Sequence, residues 1–427
     1  MNEYTETVDG ISSQIVPGTT PKPRFLDGIA KRAIFNRLRE IHDGEIILID
    51  SGQKYYFGKQ TRRCPVSVKL YVFDPRFYSD VAFGGSIGAG EAYMYGYWSS
   101  DDLTGFIQVM ACNLDTVDRM ESGFAAITRP LQKILHWLNR NTQAGSRRNI
   151  AAHYDLGNEF FKLMLDKTMM YSCAIFDNSD MSLHQAQLNR LDIICQKLDL
   201  LPTDHLLEIG TGWGGLAVYA AKHYQCRVTT TTISREQYEL ACQRVRDEGL
   251  QDRVTVLMED YRNLEGQYDK LVSIEMIEAV GHEHYPTYFK KCNALLKPHG
   301  MMLIQAITIA DQRYEQARRS VDFIQRYIFP GGGLPSVTTM ADIITKKSDM
   351  RLYHLEDIGP HYATTLRKWR ENITVNTPQI KKMGYSETFL RMWNYYLCYC
   401  EGGFLERSIG TVQMLMIKPN NKRLPVQ

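Results

Sequence analysis

No run of about twenty apolar residues occurs in the 427-residue chain, so no segment reads as a membrane-spanning helix. Met1 to Gly10 is acidic and polar and has no apolar signal core, which makes cytoplasmic residence the expectation. An excess of one charge is also lacking. Fifty basic against 48 acidic residues leave a net charge of +2, too little to argue for nucleic acid. The nine cysteines are scattered, odd in number and without paired metal spacing, as expected of reduced, mostly buried thiols. Cys398 and Cys400 stand too close together for a zinc half-site and read as core thiols. His282-Glu283-His284 heads a predicted helix and reads as its solvated start rather than a ligand pair, so no metal is expected.

What remains is the composition of a soluble globular protein, and its length favours two domains. Residues 1–24 carry Pro17, Pro21 and Pro23 and read as a flexible arm. Ile34, Phe35, Leu38 and Ile41 fall at helical spacing. Strands are predicted over Glu45–Asp50, Lys54–Phe57 and Val66–Phe73, with turn chemistry at Ser51-Gly52-Gln53. The stretch Gly84 to Trp98, rich in glycine and aromatics, reads as a packed glycine turn or as an apolar surface for a substrate chain. Arg129 to Ile150 contains no acid, while Ile127, Leu131, Ile134, Leu135 and Leu138 recur at helical spacing. That segment suits anionic lipid or, equally, an interdomain helix. The expected division is an N-terminal, lipid-associated domain over 25–140, a linker over 141–149 and a second domain over 150–427.

The second domain is organised around Leu206 to Ala217. There an apolar run ends in Glu208 and a glycine cluster, Gly210-x-Gly212-x-Gly214-Gly215, and a helix-compatible run follows. Strand, tight turn and helix start would leave free N–H groups and open backbone for a nucleotide-like ligand. The spacing is not the usual dinucleotide G-x-G-x-x-G, and an empty βα turn is the plainer alternative. Further strands are predicted at Arg227–Ile233, Val254–Met258, Leu271–Ile274 and Gly300–Ile307. Helices are predicted from Ser234, as N-cap with Gln237 at the capping-box position, and from Tyr285 to Leu296. This alternation predicts an α/β class with a mostly parallel, doubly wound sheet. Thr411–Ile417, after the helix-like Phe389–Tyr399, would complete it antiparallel. Glu208, Thr232, Ser234, Asp260, Glu275, Glu278 and Gln305 fall at the strands' carboxyl ends, where such sheets bind ligands.

These residues resemble a known family. Glu208 to Gly215, Thr232 to Gln237, Asp260-Tyr261-Arg262, His153 to Asn158, Tyr171 to Ala174 and Tyr327 to Pro330 are similar to motifs of the cyclopropane fatty acid synthase family of S-adenosylmethionine-dependent methyltransferases. The resemblance runs from about Gly84 to Ile417. It implies a Rossmann-like methyltransferase sheet with a smaller α+β N-terminal domain. It places the methionyl part of S-adenosylmethionine at Gly210, Gly212 and Gly214 beside Glu208. Thr232, Ser234 and Gln237 would line the ribose, Asp260 and Tyr261 would flank the adenine, and Tyr171 and Ser172 would close over the cofactor. The implied reaction is attack of a cis alkene in a phospholipid acyl chain on the sulfonium methyl. A base then takes a proton from the transferred methyl to close a three-membered ring.

The resemblance gives that role to a bicarbonate ion, and the matching positions here are Cys173, Glu278, Ile307 and Tyr362. Where the family usually has histidine this chain has Gln305, which donates a hydrogen bond but does not titrate. The usual Glu-His is Glu278-Ala279. A weakly held ion would let the carbocation lose a chain proton instead, giving a methyl-branched or methylene product. Glu275 and Glu278 would divide between the cofactor amine and the reaction. Gly331-Gly332-Gly333 reads as a lid or a plain loop, and the aromatics between Tyr385 and Tyr399 as core. A silent cofactor- or lipid-binding module is disfavoured by the presence of Cys173, Glu278 and Tyr362. The expected partners are unsaturated phospholipids on the inner membrane face, bound peripherally, with a homodimer implied by the family.

Overall fold

The computed structural model describes residues 25–122 and 157–423. The arm over 1–24, the basic segment, the linker over 141–149 and the motif residues His153 to Leu156 lie outside them. The described residues begin with helix α1 (Phe25–Leu38), which precedes a four-stranded sheet of order β2-β1-β3-β4. β1 (Gly44–Asp50) and β2 (Gln53–Lys59) form a hairpin, and β1 pairs in parallel with β3 (Ser67–Val72). Ser51 and Gly52 both have positive φ, 50° and 80°, as a two-residue hairpin turn with the strands' twist requires.

Helix α2 (Arg76–Met94) corrects one of the two readings of the glycine-rich stretch: it is mostly helix, kinked at Gly85, not a turn, and Gly85, Ser86, Ala89 and Trp98 line an apolar cavity. Close packing explains it. A Cβ on Gly88 would stand 1.9 Å from the carbonyl oxygen of Asp80 across the kink, so glycine here permits backbone contact. β4 (Trp98–Ser100), α3 (Leu103–Cys112) and α4 (Leu114–Ser122) complete the unit.

After α5 (Asn158–Met164) and α6 (Leu183–Lys197) the large sheet begins with β5 (His205–Ile209). Then come α7 (Gly215–His223), β6 (Arg227–Thr232), α8 (Arg235–Asp247), β7 (Val254–Met258) and β8 (Tyr268–Ile274). α9 (Tyr285–Leu295), β9 (Leu296–Ile309), α10 (Asp311–Ala317), α11 (Phe323–Tyr327) and α12 (Val337–Lys347) follow. β10 (Arg351–Asp357), α13 (Gly359–Lys382), α14 (Glu387–Leu405) and β11 (Ile409–Ile417) close the chain.

The seven strands run in the order β10-β11-β9-β8-β5-β6-β7, with β9, β8, β5, β6 and β7 parallel and β11 antiparallel to β9. The predicted doubly wound sheet is therefore present. β9 extends beyond Gly300–Ile307 at both ends because pairing with β8 and β11, rather than local propensity, sets its length. Strand order reverses between β5 and β8, so their carboxyl ends open the crevice in which such sheets hold ligands.

The N-terminal unit shares an apolar core with helices of the second half, while the strands of the large sheet pack into two further clusters. Buried residues of α1, β1, β3 and α2 are continuous with those of α5, α13 and α14. Polar contacts reinforce the junction: Arg391 donates to the Trp98 carbonyl at 2.9 Å, and Gln108 donates to Glu406 at 2.8 Å. All nine cysteines are free, and seven are buried, as expected of core thiols. Among the described residues no helix is long and apolar enough to cross a membrane, and no cluster of potential ligands would hold a metal ion.

Candidate functional site

A cavity of about 580 Å³ opens at the β5/β8 crevice and runs into the N-terminal unit, where Leu48, Leu70, Phe77, Trp98 and Phe106 line it. At its polar end is the glycine turn. Gly210 and Gly212 have φ of 104° and 51°, and a Cβ at Gly212 would meet no protein atom within 4 Å. Backbone at Gly212 is thus left open towards the cavity. Gly214 differs: its Cβ position lies 3.2 Å from Ala241, so that glycine lets α7 pack on α8. Ser172 contributes a buried hydroxyl with no partner, and so does Tyr261 on the 3₁₀ turn after β7.

The middle of the cavity holds two half-buried carboxyl groups. Glu275 follows β8 with a left-handed φ of 47°, and its backbone N–H donates to Gln305 at 2.7 Å. Its Oε1 accepts from the Cys173 backbone N–H at 2.9 Å and from Gln305 Nε2 at 2.8 Å. Its Oε2 accepts from the Tyr362 hydroxyl at 2.6 Å. Glu278 accepts at Oε1 from the Ile307 backbone N–H at 2.5 Å, and its buried Oε2 has no partner. Burial, with the Glu275 charge beside it, pushes the Glu278 carboxyl up to about 8. Burial also raises Glu275, opposed by the bonds from Tyr362, Cys173 and Gln305 and by the Arg190 charge. One carboxyl is therefore cradled by donors and the other is short of them, an arrangement that holds their proton affinities apart.

Of the candidate residues, Tyr171, Ser172, Gly210, Gly212, Thr232, Gln237, Asp260, Tyr261, Glu278, Ile307 and Tyr362 line the cavity. Glu208, Gly214, Ser234, Cys173 and Gln305 are not among the lining residues. Ser234 caps α8, accepting from the Gln237 N–H, but the reciprocal bond of a capping box is not made because Gln237 Oε1 accepts from Thr232 at 2.8 Å. The Asp260 carboxylate is held by Arg262 at 2.7 and 2.6 Å. Cys173 serves through its backbone, since its thiol lies against the carbonyls of Ala174 and Ile358 and burial raises its pKa strongly.

Glu208 is buried against Thr230, whose hydroxyl donates to it at 2.6 Å, and burial pushes its pKa from 4.5 to about 8. A carboxyl raised in the folded state contributes stability that is complete below about 4.5 and lost as pH rises through about 8. Glu208→Gln is therefore expected to melt with the wild type at pH 5. At pH 9 it should be more stable by several kcal/mol, at about 1.4 kcal/mol per pKa unit, in calorimetry at the two pH values.

Sequence reasoning left Glu275 between two roles and missed Arg190, which is fully buried on α6 with Nε and Nη1 lacking partners. A lone arginine at a helical position carries no local signal; only the fold brings it near Glu275. Tyr395, Tyr396 and Tyr399 were read as core, and they also line the cavity. His282 lines it as well, 3.4 Å from the Tyr314 hydroxyl, rather than facing solvent. The Gly331–Gly333 loop is pinned by Gly333 N–H donating to the Glu278 carbonyl at 2.8 Å and by Tyr285 donating to the Gly333 carbonyl at 2.9 Å. These bonds favour a fixed wall over a lid.

A family described as mycolic acid cyclopropane synthetase matches residues 141–414. The tuberculostearic acid methyltransferase UfaA1 of Mycobacterium tuberculosis is 39% identical over 352 residues, covering 78% of this chain and 79% of that protein. The cyclopropane-fatty-acyl-phospholipid synthase of Escherichia coli is 40% identical over 350 residues, covering 81% and 87%. Among solved structures, the cyclopropane synthase MmaA2 from Mycobacterium tuberculosis superposes with a TM-score of 0.59 at 31% identity, over 64% of this chain and 98% of that one. The mycolic acid cyclopropane synthase CmaA1, complexed with SAH and CTAB, gives 0.60 at 31% identity over the same shares.

Proposed function

Because this chain belongs to the mycolic acid cyclopropane synthetase family of S-adenosylmethionine-dependent methyltransferases, we propose that it adds a one-carbon unit to the cis double bond of unsaturated phospholipid acyl chains and closes a cyclopropane ring. The observation that carries this reading is one continuous cavity. It joins a glycine turn, two half-buried carboxyl groups and an apolar arm reaching Leu48 and Trp98.

The residues at the polar end fit S-adenosylmethionine. The open face at Gly212 gives backbone room, and the unpartnered hydroxyls of Ser172 and Tyr261 offer hydrogen bonds where none is made within the protein. Gly210, Thr232 and Gln237 would hold the cofactor's polar parts. Bound there, it supplies an electrophilic methyl group on a sulfonium. The chain's own residues do the rest. Tyr171, Phe329, Tyr362 and Tyr396 line the cavity with π faces that favour a cation and exclude the water that would trap it. The Tyr171 and Tyr396 hydroxyls, 2.9 Å apart, lock two of these rings.

The expected bicarbonate ion does not fit. Every donor the resemblance gives it is already spent on the chain itself: Cys173 N–H, Gln305 and Tyr362 on Glu275, and Ile307 N–H on Glu278. The replacement of histidine by Gln305 therefore leaves no loosely held ion, and the expected route to a methyl-branched product through one loses its basis.

Peripheral association with anionic lipid belongs to the same proposal. The test is mass spectrometry of acyl chains after incubating the protein with vesicles of a cis-monounsaturated anionic lipid and methyl-deuterated S-adenosylmethionine. The expected product resists hydrogenation and keeps two deuteriums. A chain keeping all three would overturn ring closure, and an unlabelled lipid would overturn lipid methylation. Raising the salt from 50 to 500 mM should lower vesicle-bound protein, and unchanged binding would remove the electrostatic contribution.

A further inference from the structure

We infer that Glu275 is the base of the ring-closing step, its carboxylate standing where a bound anion would otherwise be required. The inference rests on the methyl-transfer reading above. It begins with geometry: Glu275 lines the cavity, its Oε1 fixed from behind by Cys173 N–H and Gln305 and its Oε2 held by Tyr362, which lines the cavity beside it. Three donors on one carboxylate stabilise its ionised form and orient its free lone pairs. Cys173 and Gln305 do not line the cavity, so their part is to position Glu275 rather than to meet substrate.

The backbone points the same way. Among the described residues few other than glycine have positive φ, and Glu275 is one, held at 47° by its N–H bond to the Gln305 carbonyl. Left-handed backbone disfavours a side chain, and such strain collects where a group must be held for function. A glycine would sit there without strain, and the space now filled by the carboxylate would be empty. Glu278 is unsuited to the role. It has one backbone donor, an orphaned Oε2, and a pKa pushed up to about 8, so it is mostly protonated near neutrality. Arg190, wholly buried, adds a positive charge that favours ionised Glu275 over ionised Glu278.

The step balances without a further reactant. A C–H bond of the transferred methyl breaks, its proton passes to the Glu275 carboxylate, and its electron pair forms the C–C bond to the cationic carbon. Glu275 gives the proton to water when the product leaves.

The test compares wild type, Glu275→Gly and Glu275→Gln in carbonate-free buffer and with added ¹³C-bicarbonate. Wild-type turnover should be the same in both, and carbon NMR should detect no bound bicarbonate. Glu275→Gly should lose at least about 100-fold in turnover, the lower end of what a general base contributes. It should bind bicarbonate and recover at least tenfold with it. Glu275→Gln fills the cradle with an amide and should stay inactive under both conditions. Wild-type turnover that requires bicarbonate, a Gln variant within about threefold of wild type, or a Gly variant that binds the ion without recovering would each overturn the inference. If the wild type methylates no lipid, the proposed function fails. The NMR arm still reports whether Glu275 fills the anion's place.

Discussion

Gly212→Val is expected to abolish methyl transfer while leaving the protein folded. Gly212 sits at φ 51° with nothing within 4 Å of its Cβ position, on the wall of the cavity. A Cβ there meets no protein atom, and the methyl groups it carries would extend from the cavity wall into the space the cofactor would need. The left-handed backbone adds a cost of about 1–3 kcal/mol for a β-branched residue, small against the stability of a large two-sheet protein but real. Affinity for S-adenosylhomocysteine should fall at least about 100-fold, because a ligand shifted off a preformed wall loses several contacts together. Titration calorimetry, with near-ultraviolet circular dichroism as the check on folding, reads both effects. Gly214→Val is the contrasting variant: its Cβ meets Ala241, so it should lower the melting temperature more than it weakens binding at matched folded fraction. Unchanged binding in a folded Gly212→Val protein would reduce the glycine to a turn residue.

The contrast between those two glycines shows where sequence stops being informative. Both stand in one motif, and the motif places the turn, the helix start and the sheet's binding edge correctly, because these follow from local spacing and chirality. Which glycine faces ligand and which faces α8 depends on where Ala241 packs, and that is tertiary. Glu208 and Ser234 fail to reach the cavity for the same reason. Each lies at a strand end, but one turns into the core against Thr230 and the other caps a helix. For the stretch around Gly84 to Trp98 composition left a turn and an apolar surface open, and only the turn is overturned: glycines that usually mark turns here let a kinked helix touch its own backbone. The substitution of histidine by Gln305 was visible as a loss. Its compensation was not, because Glu275 stands 30 residues away in sequence and meets Gln305 only through the pairing of β8 with β9.

That compensation makes Tyr362→Phe the more discriminating change. The Tyr362 ring stacks on Phe404 with centroids 4.6 Å apart and meets Trp369 edge-on at 6.0 Å, so phenylalanine preserves the packing and the π face. Only the hydroxyl is lost, with its 2.6 Å bond to Glu275 Oε2. A hydrogen bond to an ionised group is worth about 1.5–3 kcal/mol, so kcat should fall by roughly 10- to 100-fold. The KM for S-adenosylmethionine should hardly move, since the glycine turn is untouched. The pH profile carries the decisive information. The Tyr362 bond favours the ionised carboxylate, so its removal raises the Glu275 pKa further. The acid limb of kcat should then shift to higher pH by about one to two units, with part of the lost rate recovered in alkaline buffer. A merely structural tyrosine would lower the rate evenly at every pH. A profile parallel to that of the wild type would separate Tyr362 from Glu275, and the carboxylate cradle would then have no part in turnover.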